Sequence, residues 1–158
     1  FLDGMRLYFG VFEFNSSILE LFLHYGKWKY DWNMTRIYAP YLSRMAIKII
    51  LLLSLIGIPE NWTGVFRRMT IELFFYFLLS STVHPWYLIT MLFLGVISGF
   101  SSIVLWSMTI VLSYAFYDPV SKEYFEMLRW IEYLPVVFLF VYEVAKGGLL
   151  TKWINSHS

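Results

Sequence analysis

The residues whose types could do chemistry cluster in a polar break between two apolar stretches, Ser80-Ser81-Thr82-Val83-His84-Pro85-Trp86-Tyr87-Leu88. His84 changes charge near neutral pH, so it can donate to a phosphate or a sugar hydroxyl. Trp86 and Tyr87 offer flat faces that stack on a sugar or line a lipid groove. The plainer reading is a helix start with Pro85 at its first position and an aromatic belt beside it. Glu13 and Asn15, near the start of the chain, either reach into a site from the surface or cap a helix and bind water. Arg44 and Lys48 lie one helical turn apart and either bind a lipid phosphate or snorkel to the interface. Glu132 and Glu143 bracket the last apolar stretch, and Lys146 follows, so interface anchoring is expected of both. No Gly-rich phosphate loop, His-Glu-x-x-His motif or Gly-x-Ser-x-Gly elbow occurs, and there is no ligand cluster for a metal. With 0 cysteines, disulfides, iron–sulfur clusters, zinc–thiolate sites and cysteine nucleophiles are excluded.

Such residues need elements to hold them, and composition says which kind. The 158 residues are 59% hydrophobic and 22% aromatic, with mean hydropathy +0.61. A soluble domain is roughly 45–50% apolar. This excess falls in blocks, which predicts an all-α polytopic transmembrane bundle. A net charge of +1 gives no reason to expect nucleic acid.

Residues 1–40 read as an outer-face interfacial segment. Within it Ser17-Ile18-Leu19-Glu20 fits a capping box. Ile18, Leu21, Phe22 and Tyr25 follow at helical spacing, which predicts a short amphipathic helix lying in the interface. His24 to Pro40 reads as an aromatic-rich connection. Residues 41–145 carry about five short spans, near 41–58, 69–81, 85–99, 103–117 and 131–145. The Glu60–Arg68 stretch reads as a loop, Ser98–Ser102 as a tight turn, 120–130 as a polar link and 146–158 as a polar tail. Arg67-Arg68 beside a span marks that side as cytoplasmic by the positive-inside rule, which puts His84 on the outer face. Three Asn-x-Ser/Thr triplets, at Asn15, Asn33 and Asn61, fall on both sides of this topology and read as chance.

The stretch Ser81-Thr82-Val83-His84-Pro85-Trp86-Tyr87-Leu88 resembles the late transmembrane region of bacterial GT-C-type glycosyltransferases. Most similar are the polyprenyl-phosphate-dependent, mannosyltransferase-like proteins. Leu7-Tyr8-Phe9, Phe12-Glu13-Phe14-Asn15-Ser16-Ser17-Ile18, Leu105-Trp106-Ser107 and Leu112-Ser113-Tyr114 extend the resemblance in the same order. It implies an enzyme of the bacterial inner membrane that passes a sugar from a polyprenyl-phosphate donor to an acceptor on the outer face. His84, Trp86, Tyr87, Arg44, Glu13 and Asn15 would then line the donor site.

The expected base is a carboxylate in a first outer loop. No such loop precedes these residues, and the chain opens on Phe1. The expectation is therefore a C-terminal part without the catalytic acid. Its partners would be membrane lipid, the lipid-linked sugar and a missing N-terminal transmembrane part or partner subunits. Some such enzymes use a divalent metal; no metal ligands are expected in this chain. The alternative is a non-catalytic membrane subunit or scaffold. A transporter piece ranks lowest, because Pro135 is its mid-span candidate and no ionisable neighbour is expected at that depth.

Overall fold

The computed structural model describes residues 13–56, 59, 61–118 and 121–146. The segment 7–12, residues 57–58, residue 60, residues 119–120 and the tail 147–158 lie outside the described residues. The described chain is all-helical, without a strand, and divides into two units. The first holds the described residues of 1–55 with Ile71–His84; the second holds Ile56–Thr70 with those of 85–158.

In the first unit, α1 (Ile18–Tyr30) and α2 (Thr35–Leu55) form a hairpin. α1 buries Leu19, Leu23 and Gly26, one stripe at helical spacing. Leu21, Phe22 and Tyr25, the face anticipated from the sequence, are its exposed face. The buried stripe packs with Ala39, Leu42 and Ala46 of α2 and with Leu79.

The stretch 24–40 is not a connection. α1 continues to Tyr30, with Lys27 and Lys29 complementing the dipole of its last turn. Asp31 then ends it in the left-handed region, φ 52°, its N–H on the Lys27 carbonyl at 2.9 Å. The Asn33 side-chain oxygen accepts the Thr35 N–H at 2.9 Å, so α2 starts at Thr35, not near Tyr41. Pro40 lies inside α2 and leaves the Arg36 carbonyl without its helical donor.

The third helix, α3 (Trp62–Leu78), also begins earlier than expected. The Asn61 side chain accepts the Gly64 N–H at 2.8 Å, an N-cap that draws Arg67 and Arg68 into the helix. Its residues 62–70 belong to the second unit and 71–78 to the first.

In the second unit, a 3-10 turn (Pro85–Tyr87) leads into α4 (Leu88–Ser98), as the proline suggests. Gly99, at φ 77°, closes α4. Its N–H meets the Val96 carbonyl at 3.3 Å and the Phe100 N–H meets Gly95 at 2.8 Å, the Schellman pattern. α5 (Ser101–Thr109) follows and tightens into a 3-10 helix, Ile110–Tyr117. Eight residues is long for that geometry. After a 3-10 turn at Ser121–Tyr124, α6 (Phe125–Lys146) starts six residues before the expected fifth span.

α6 runs antiparallel to α5, pinned at three levels. The Glu143 carboxylate accepts the Ser101 and Ser102 N–H groups at 2.8 and 3.1 Å and the Ser102 hydroxyl at 2.6 Å. The Phe100 and Phe140 rings stack at 5.3 Å. Trp106 donates its indole N–H to Glu132 at 2.9 Å. Between α3 and α4, the buried Thr70 and Ser98 hydroxyls meet at 3.0 Å.

Candidate functional site

Two segments singled out from the sequence meet in the first unit. Residues 13–17 run as a short strap alongside residues 81–84. The Phe14 N–H donates to the Ser81 carbonyl at 3.1 Å, and the Val83 N–H donates to the Phe14 carbonyl at 2.9 Å. These bonds make an isolated parallel bridge between Phe14 and Thr82. The Phe14 ring stacks on the His84 imidazole, centroids 4.5 Å apart and planes 24° apart.

Local chemistry explains the strap's course. Asn15 sits at φ 51°, a left-handed conformation that Asn tolerates better than most residues. That single reversal turns the bridge into the start of α1. The expected capping box at Ser17 does not form: Ser17 makes no side-chain cap. Its hydroxyl donates instead to the Leu78 carbonyl at 2.7 Å, satisfying an orphan acceptor at the end of α3. Glu20, the other half of the box, pairs with His24 at 3.4 Å, one turn on. On the facing segment, Ser80 accepts the Thr82 N–H at 3.3 Å and donates to the Thr82 carbonyl at 3.0 Å.

His84 is only 6% exposed. Burial strips water from the imidazolium and pulls its pKa below the ordinary histidine value. Stacking on Phe14 adds to a setting that disfavours the charged form of the ring. Asn15 is buried as well, while Glu13 is half-buried and takes a hydrogen bond from the Thr35 hydroxyl. The strap supplies one carboxylate, Glu13, and the Thr35 hydroxyl engages it.

The other anticipated residues stand elsewhere. Arg44 is exposed, and its Nε donates to the Pro40 carbonyl at 3.1 Å, so its hydrogen bond stays within α2. Trp86 is 54% exposed and meets Tyr87 edge-on at 5.9 Å; both belong to the second unit. The structure therefore brings the strap residues to His84 and leaves Arg44 on its own helix.

Glu132 and Glu143 are not surface anchors. Glu143 caps α5, and Glu132 is 0% exposed against Trp106. Tyr133 packs edge-on to Trp106 at 5.5 Å, closing the cluster. Glu132, one turn before Pro135, is thus a buried ionisable group and not a surface one. A signal was present: Glu132 precedes Tyr133, Val136 and Phe140, the buried stripe of α6. A carboxylate one position off an apolar stripe is drawn inward when a facing donor such as Trp106 is available.

Comparison with known proteins returns nothing: no family model, no curated protein and no solved structure matches this chain.

Proposed function

We propose that this chain is a membrane-embedded part of a GT-C-type glycosyltransferase of the bacterial inner membrane. In this reading its helices form a polytopic bundle, and the strap with His84 makes one wall of the site for a polyprenyl-phosphate sugar, mannose being the first candidate. The observation that carries it is the meeting of Phe14 with His84 and Thr82, two segments about 70 residues apart that share the family resemblance. Arg44, Trp86 and Tyr87 are assigned to the donor by resemblance alone.

Helix lengths and surfaces support the membrane part. α2 is 21 residues long and apolar enough to cross a bilayer. At about 1.5 Å per α-helical and about 2.0 Å per 3-10 residue, Ser101–Tyr117 reaches about 30 Å, close to the roughly 30 Å of a hydrocarbon core. The tightened second half of that helix thus compensates for its shortness. Leu51, Leu52, Leu55, Phe93, Met108 and Phe138 are all exposed, which suits lipid and costs free energy in water.

A second reading is a non-catalytic membrane scaffold, favoured by the burial of His84 against Phe14. Replacing His84 by Ala and by Phe in the full-length protein separates the two. The transferase reading expects both variants to lose about 10- to 100-fold in transfer from polyprenyl-phosphate mannose, the worth of a hydrogen bond to a charged group. Retained transfer in His84→Phe, at normal protein level, makes His84 a packing residue and removes it from the donor site, whereas absence of transfer in the unsubstituted full-length protein supports the scaffold.

A further inference from the structure

We propose that the tip of the α1–α2 hairpin, residues 27–36, is a docking surface for the headgroups of anionic phospholipids. Lys27, Lys29 and Arg36 are exposed there against a single acid, Asp31. Trp28 and Trp32, 82% and 63% exposed, stand among them, and Tyr30 is exposed beside them. Cations alternating with amphipathic rings match a layer of phosphates above acyl chains, where indole and phenol rings settle.

The tip is built before any lipid arrives. A Cβ on Gly26 would lie 3.2–3.3 Å from Met34 and Tyr38, so the two helices close tightly at this point. Asp31 in its left-handed turn and Asn33 on the Thr35 N–H fix the connection. The Lys29 ammonium donates to the Tyr25 hydroxyl at 3.2 Å and lies 5.6 and 5.2 Å from the Tyr25 and Tyr30 ring centroids. That setting favours its charged form, the Tyr25 hydrogen bond first and Tyr30 next. Arg44 folds back along α2 to the Pro40 carbonyl, which brings its charge toward the same end. A rigid platform pays less ordering entropy on binding. The surface is independent of glycosyl transfer and stands or falls on its own.

The test is lipid retention by the full chain in detergent micelles, counted by native mass spectrometry. Phosphatidylglycerol, phosphatidylcholine and inorganic phosphate are the probes. Phosphatidylglycerol is expected to be retained over phosphatidylcholine, with the preference fading as salt rises. Combining Lys27→Ala, Lys29→Ala and Arg36→Ala is expected to lower phosphatidylglycerol retention about 100-fold, about fivefold per charge. Lys27→Arg, Lys29→Arg and Arg36→Lys together keep it, which separates lost charge from lost folding. Equal retention of the two lipids overturns the proposal, as does a preference that survives the triple alanine variant. Displacement of the lipid by inorganic phosphate also overturns it, because the surface would then be a phosphate site and not a bilayer-docking face.

Discussion

At the scale of single residues, His84 shows how burial disfavours the charged form of an ionisable group. His84 is stacked on Phe14 and desolvated, so its folded-state pKa lies below the ordinary value of about 6.5. Between those two values the unfolded chain binds more protons than the folded one. Its contribution to stability is thus complete above about pH 6.5 and is lost as the pH falls from there toward the folded-state value. Thermal melts should show the wild type losing stability on acidification from about pH 7.5 to about pH 5. His84→Phe keeps the stack without the titration and should lose less. Equal losses in both proteins would assign the effect to another group. Glu132 is buried in an apolar layer as well, and the Trp106 indole N–H supplies one of the hydrogen bonds that burial demands.

Between elements, close approach and borrowed caps do more than helix propensity. The Phe100 side chain gives α5 no cap hydrogen bond; Glu143 of α6 provides the acceptor from across the hairpin. Gly95 allows α4 to lie against α5: a Cβ there would sit 2.7 Å from the Ile103 Cβ, too close for any rotamer change to relieve. Gly95→Ala should therefore destabilise by about 1–3 kcal/mol, the usual cost of overpacking, despite alanine's better helix propensity. Denaturant titration checks this. A stabilised Gly95→Ala protein would mean that α4 and α5 are not in this contact.

For the molecule as a whole, α2 is the element that tests insertion in a bilayer. The chain has 0 cysteines, so single cysteines can be introduced without background. Trp32 and Ile56 flank α2 and are both exposed. If α2 spans, Trp32→Cys and Ile56→Cys in sealed vesicles should react with a membrane-impermeant maleimide from opposite sides. Reaction of both from one side would remove α2 as a span and with it the transferase topology. The length argument for Ser101–Tyr117 would then lose its main support, since α2 is the stronger candidate.

The helical class was legible in the blocks of apolar residues, and so were some boundaries. Pro85 at a helix start and Gly99 at a helix end carry their backbone preferences with them. The strap and the His84 break were legible as unusual segments; the resemblance alone placed them at one site, and the stack of Phe14 on His84 was not legible. The stretch 24–40 was misread because Lys, Trp, Tyr and Arg suit an interface loop and a helix equally. What decided it was local side-chain geometry, Asn33 taking a backbone N–H at the start of α2, as Asn61 does at the start of α3. Composition and periodicity are one-dimensional and fix which residues can form a helix and which face is apolar. Whether Phe14 covers His84, whether Ser17 caps its own helix or answers α3, and whether Glu132 points inward depend on which groups meet across 26 to 70 residues of sequence. Only the folded chain brings those partners within hydrogen-bond reach, and only there does leaving a polar group unpaired carry its cost.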